Sequence, residues 1–271
     1  MVEKSVTVGG QELAYRESPG TGRAVVLVHG NSSSSRTWRA LLDGPFGERF
    51  RCLAFDLPGH GGSPPAAVAE AYSLPGYAAN LVDFVAATGA EDAVVVGWSL
   101  GGHIAIEAAP RLPGAPGFVV FGTPPVGSPA QLAEAFLPNP AVNTGFSAEV
   151  DDEAARAYAT SFLAPGSTYP TAGFVADVLA TDGAARAGLQ ASLGAGRFAD
   201  EVAVVAGLTR PLAVLHGEGE QLVSLDYLRA VPMPTLWRGE VRVLPGAGHA
   251  PHEEAPEEFA AVLAEFLADL H

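Results

Sequence analysis

The sequence has one cysteine, Cys52. No disulfide can form within the chain, which fits a reducing compartment. Apolar runs are short, and none approaches the ~20 residues that cross a bilayer. The opening MVEKSVTVGGQELAY alternates like a strand and lacks the apolar segment of a secretory signal. A cytoplasmic protein without a membrane partner is expected. Basic residues are scarce as well: 15 Lys and Arg against 30 Asp and Glu give a formal net charge of −15. That balance argues against nucleic acid or an anionic membrane surface as partner. The seven histidines (29, 60, 103, 216, 249, 252 and 271) are dispersed, with His249 and His252 the only close pair. A catalytic metal held by clustered His and Asp is therefore not expected. No G-x-G-x-x-G follows the apolar runs 24–28 or 93–96, so a dinucleotide cofactor is not expected either.

What remains is a chain of 271 residues, 48% hydrophobic and 17% charged, long enough to bury a sizeable core. Residues 2–8 and 12–17 alternate around Gly9-Gly10, which predicts a β-hairpin. Runs at 24–28, 51–55, 93–96, 118–121, 211–215 and 241–244 are apolar throughout, the mark of strands buried on both faces. Helical spacing lies between several of them. Tyr77, Leu81, Phe84 and Val85 share one face. Phe259, Val262, Leu263, Phe266 and Leu270 do the same in a last helix that opens on Pro256. The pattern predicts an α/β fold: a mostly parallel eight-stranded sheet flanked by helices, with an antiparallel hairpin at its start. Residues 124–210 break the rhythm with Ala-rich helical segments and Pro-rich loops. They are read as a helical cap inserted into a core domain made of 1–123 and 211–271.

In doubly wound sheets, ligands bind beyond the carboxyl ends of the strands. Four such ends carry informative residues here. The first is Gly97-Trp98-Ser99-Leu100-Gly101, a G-x-S-x-G after the run 93–96. A tight strand-to-helix turn would expose the Ser99 hydroxyl as a nucleophile, and the glycines remove side chains that would clash there. The plainer reading is a turn serine and helix cap. The second is His29-Gly30-Asn31. The backbone N–H of Asn31, with that of Leu100, can form an oxyanion hole, each donor being worth ~3 kcal/mol in a transition state. The Asn31 side chain is a further substrate contact, whereas Ser32 to Ser35 read as turn and cap residues and His29 as a structural hydrogen bonder. The third is the loop HGEGEQLVS, with Glu218, Glu220 and Asp226 as acids. Glu220 lies within the loop, Asp226 in the helix-like 224–230, and Glu218 competes locally. The fourth is PGAGHAPHEE, where His249 sits on a Gly-rich loop before the last helix. Histidine titrates near neutral pH, so it can take a serine's proton and return it to a leaving group. His252 reads as solvent-facing or as a helix-start residue. The chain order Ser99, Glu220, His249 is that of one fold in particular.

With HGN (29–31), DLPGHGGS (56–63), GWSLGGH (97–103) and GAGH (246–249), the chain resembles the α/β-hydrolase fold family over nearly its whole length. HGNSSSS, YSLPGYA, GWSLGGHIAIE, FGTPPV and ATDGAAR are similar to the metal-independent N-acylhomoserine lactonases of that fold. The resemblance implies a glutamate as triad acid, which supports Glu220, and a cap tyrosine against the lactone, for which Tyr158 in RAYATS is the nearest equivalent. Trp98, inside the nucleophile motif, is read as a substrate contact. The acid loop HGEGEQL and residues 138–171 depart from the family pattern, and the departures bear on the substrate. The expected activity is hydrolysis of a small carboxylic ester or lactone through an acyl-enzyme, without metal or other cofactor. An N-acylhomoserine lactone, and so quorum quenching, is the leading substrate. A general carboxylesterase and a non-catalytic ligand receptor are the alternatives. Phe136, Leu137, Phe146 and Phe162 are candidate liners of an acyl channel, with packing inside the cap as the equally common reading.

Overall fold

A computed structural model describes residues 1–270. Eight strands form one sheet: β1 Val2–Val8, β2 Gln11–Glu17, β3 Gly22–Val28, β4 Phe50–Phe55, β5 Val94–Trp98, β6 Phe118–Phe121, β7 Leu212–Gly217 and β8 Arg242–Leu244. Their order is β1-β2-β4-β3-β5-β6-β7-β8. β1 pairs with β2, and β2 with β4, antiparallel; every later pairing is parallel.

The β-branched runs explain the centre. Val25 to Val28 and Val94 to Val96 are buried to within 1%. Each such side chain is worth about 1.5–3 kcal/mol relative to exposure. Helix Leu74–Ala87 is capped by Ser73, whose hydroxyl accepts from the Gly76 N–H, and it turns Tyr77, Leu81, Phe84 and Val85 into the core as their spacing predicts. Helix Pro256–Asp269 buries Phe259, Val262, Leu263 and Phe266. Strand limits shift where pairing overrides composition. β7 starts after Pro211 and runs on through His216 and Gly217, because Leu215 to Gly217 pair with Arg242 to Leu244 of β8. β5 likewise continues through Gly97 and Trp98, which pair with Val120 and Phe121.

Between β6 and β7 the chain contributes no strand to the sheet. It forms helices Asp152–Ser161, Ala172–Ala180, Gly183–Gly194 and Glu201–Gly207, among shorter turns. Three of its anchors to the rest of the molecule fall on loops at the strands' carboxyl ends. The Asp182 N–H donates to the Gly59 carbonyl beyond β4. Gln221, beyond β7, donates to the Leu163 carbonyl. The Ala250 N–H, beyond β8, donates to the Phe162 carbonyl. The segment therefore lies over the end of the sheet where the informative loops gather. Among the described residues no helix is long and apolar enough to cross a membrane.

Candidate active site

Ser99 stands between β5 and helix Leu100–Ala108, with φ 53° and ψ −118°. A non-glycine residue in that region stores about 1–3 kcal/mol of strain. The turn is held by the Ser99 N–H donating to the Phe121 carbonyl at 2.8 Å. Its tightness requires Gly101: a Cβ there would stand 2.2 Å from the Val28 carbonyl oxygen. Gly101→Ala is expected to lower unfolding stability by about 1–3 kcal/mol. Urea denaturation checks this, and an unchanged midpoint would mean that the β3 loop yields. Leu100 opens the helix, so its N–H has no acceptor within it and is free for an oxyanion.

His249 follows β8 on a loop that turns at Gly246 (φ 68°). Its Nδ1 is 2.8 Å from Glu220 Oε2, and the two side chains are 3% and 1% exposed. Glu220 Oε1 accepts from the Leu222 N–H at 2.7 Å. Burial alone would raise the Glu220 pKa, but the His249 imidazole beside it and these hydrogen bonds outweigh burial and hold the carboxyl below its ordinary value. A carboxylate on Nδ1 keeps an imidazole proton there, an arrangement that in the neutral ring leaves the lone pair on Nε2. Of the competing acids, Glu218 is exposed and accepts from the Gly246 N–H. Asp226 is exposed in the first turn of helix Leu225–Ala230. Neither is hydrogen-bonded to His249.

Ser99 and His249 border a cavity of about 290 Å³. Asn31, His103 and Tyr158 supply its other polar groups, and Leu74, Val126, Leu132, Phe136, Leu189 and Leu222 are among its apolar walls. Tyr158 is buried, which pushes its phenol pKa up, so it stays a neutral donor. The Asn31 side chain is on the wall, where Nδ2 donates to the Gly145 carbonyl at 2.5 Å. It thus ties the loop after β3 to the segment above.

Several sequence expectations are corrected. Trp98 is not on the cavity wall: it is 1% exposed, packs against Phe162 and His249, and donates from Nε1 to the His249 carbonyl at 2.8 Å. It holds the His249 loop from behind. Phe136 and Phe146 line the cavity, but Phe162 is in the packing around Trp98, and Leu137 is 39% exposed. His252 starts a helix but is buried rather than solvent-facing, with Nε2 2.7 Å from Thr37 Oγ1. The sequence reading missed Leu74, Leu189 and His103 as wall residues. Leu74 had a signal, since it opens the helix whose core face was recognised. His29 is structural as expected: Nδ1 bonds the Gly30 carbonyl, Nε2 accepts from the Leu57 N–H, and burial lowers its pKa to about 4. Cys52 is buried in β4, which pushes its thiol up to about 12. Among the described residues no group of three or more His, Cys, Asp or Glu could hold a metal ion; His271 lies outside them.

Residues 25–262 match the model of the alpha/beta hydrolase family. The chain belongs to the alpha/beta hydrolase family. A solved structure of a mutant of the N-acyl homoserine lactonase AidH, complexed with N-hexanoyl homoserine lactone, is 36% identical and superposes with a TM-score of 0.95, covering 100% of this chain and 98% of that one. The pimeloyl-(acyl-carrier protein) methyl ester esterase of Methylococcus capsulatus is 31% identical over 94% of this chain and 98% of its own length. The biotin biosynthesis bifunctional protein BioHC of Cellvibrio japonicus is 29% identical over 92% of this chain; the chain spans about half (48%) of that longer protein. With this fold and esterase and lactonase relatives, the chain is an enzyme of the carboxylic-ester hydrolase type.

Proposed function

We propose that this hydrolase opens the lactone ring of N-acylhomoserine lactones, a quorum-quenching activity, with Ser99 as nucleophile, His249 as base and Glu220 as its orienting acid. The observation that carries the reading is the cavity: Ser99 and His249 border it together with mostly apolar walls, in a volume sized for an acyl chain. Near-complete superposition on a lactonase holding N-hexanoyl homoserine lactone supports the choice of ring. The segment 124–210 serves as the cap that closes this pocket over a core of 1–123 and 211–271.

Ser99 Oγ attacks the lactone carbonyl carbon as its proton passes to His249 Nε2. The carbonyl oxygen, now an anion, is stabilised by the N–H groups of Asn31 and Leu100. The ring C–O bond then breaks, and the departing oxygen takes the proton from His249. The freed alcohol stays tethered within the acyl-enzyme. Water, deprotonated by His249, attacks the acyl carbon and releases Ser99. Glu220 stays ionised throughout and stabilises the imidazolium. Tyr158 and the Asn31 side chain contact the substrate's polar head.

A second reading, hydrolysis of simple acyl esters, is favoured by the methyl ester esterase relative. The same three groups serve both. A panel of N-acylhomoserine lactones and p-nitrophenyl esters of matched acyl length, assayed without added metal, separates them. Lactones are expected to be hydrolysed with the higher kcat/KM. Fast ester turnover with no lactone turnover would defeat the proposed substrate.

A further inference from the structure

His103 takes no part in the mechanism above, yet it stands on the cavity wall one helical turn from Ser99. Its Nδ1 lies 2.9 Å from both carboxylate oxygens of Glu201, a residue with no exposed surface. Glu201 is fixed in turn, since Oε2 accepts from the Val126 N–H at 2.9 Å. A carboxylate accepts only, so the imidazole proton sits on Nδ1. In the neutral ring Nε2 then holds a lone pair, and among the described residues it makes no hydrogen bond within the protein. The ring also packs near Phe136, 6.3 Å between centroids. His103 thus adds a polar group to a cavity whose walls include Val126, Leu132, Phe136 and Leu222.

We propose that His103, locked by Glu201, determines specificity by accepting a hydrogen bond from a hydroxyl on the substrate's acyl chain. The inference rests on the lactone reading. An unsubstituted chain would strip water from Nε2 and return nothing, which is costly for a buried polar atom. A keto oxygen fares no better, because it too only accepts. A hydroxyl donates and satisfies the site. Its position follows from spacing. His103 lies about 6 Å along the helix axis from Ser99. The third carbon of an N-acyl chain is five bonds from the lactone carbonyl, roughly 6 Å when extended.

The test compares kcat/KM for N-hexanoyl, N-3-hydroxyhexanoyl and N-3-oxohexanoyl homoserine lactones. The hydroxylated chain is expected to lead the unsubstituted one by about tenfold, one hydrogen bond's worth, with the keto chain no better than the unsubstituted one. In the double variant His103→Leu with Glu201→Gln, which keeps an acceptor for Val126 and leaves no buried carboxylate unpaired, the ratio should fall to about one. A purely structural role for His103 would shift all three substrates together. Equal turnover of the three by the wild-type enzyme overturns the inference while leaving the lactone reading in place, whether or not the double variant folds. Turnover of p-nitrophenyl hexanoate with none of any lactone overturns both.

Discussion

Ser99→Ala is expected to lower kcat/KM by roughly 10⁵–10⁶-fold on every substrate the enzyme accepts. The fold should survive, because the backbone bond from the Ser99 N–H to Phe121 and the close packing at Gly101 do not involve the hydroxyl. Ser99→Gly sharpens the test. The φ of 53° stores about 1–3 kcal/mol that glycine would release, against about 0.5–1 kcal/mol of added chain entropy. The glycine variant should therefore be as inactive as the alanine variant but more stable, by about 1 kcal/mol, in urea denaturation. Inactivity with gained stability is the signature of strain held in place for chemistry. Activity within tenfold of wild type in either variant would remove Ser99 from the mechanism.

The backbone plan was legible because it rests on local signals. Continuous valine runs mark strands buried on both faces, and a serine among glycines at the end of one marks the turn. The reading of Ser99 rests on its place directly after a strand, and that of His249 on its place in the loop after another. Trp98 shows the limit. It adjoins Ser99 in sequence, but Trp98 is the last residue of β5 while Ser99 turns out of the strand, and the indole packs behind His249. His252 starts a helix, one of its two readings, but is not solvent-facing, for a related reason. Much of its burial comes from distant residues, Thr37 and Trp38 more than 200 positions away among them, and no local pattern reports such contacts. The cavity walls were the least legible part. Apolar residues of the 124–210 segment can equally fill its own packing or face a ligand, and only three-dimensional placement separates Phe136 from Phe162. His103 and Glu201 are 98 residues apart, and the sequence alone gave no cause to pair them.

The acid is where geometry decides between near neighbours, and where the second large effect is expected. Glu220→Gln should cost about 10⁴-fold in kcat, whereas Glu218→Gln should change it less than about twofold. The reason lies in the second oxygen. Glu220 Oε1 accepts from the Leu222 N–H, a group that can only donate. In the glutamine variant the amide oxygen must stay there, so the NH2 takes the place of Oε2 and faces His249 Nδ1. Nδ1 must then accept, and the imidazole proton moves to Nε2. The ring is in place but presents a proton where a lone pair is needed. Glu218→Gln makes no such demand, since Glu218 is exposed and the hydrogen bond its carboxylate accepts, from the Gly246 N–H, is one an amide oxygen also accepts. Steady-state kinetics on both variants checks the pair, with thermal melts to show that each is folded. If Glu218→Gln shows the larger loss, the acid has been assigned to the wrong glutamate. If Glu220→Gln keeps more than about a tenth of the activity, the tautomer argument fails, and with it the claim that a buried carboxylate on Nδ1 is what makes His249 a base.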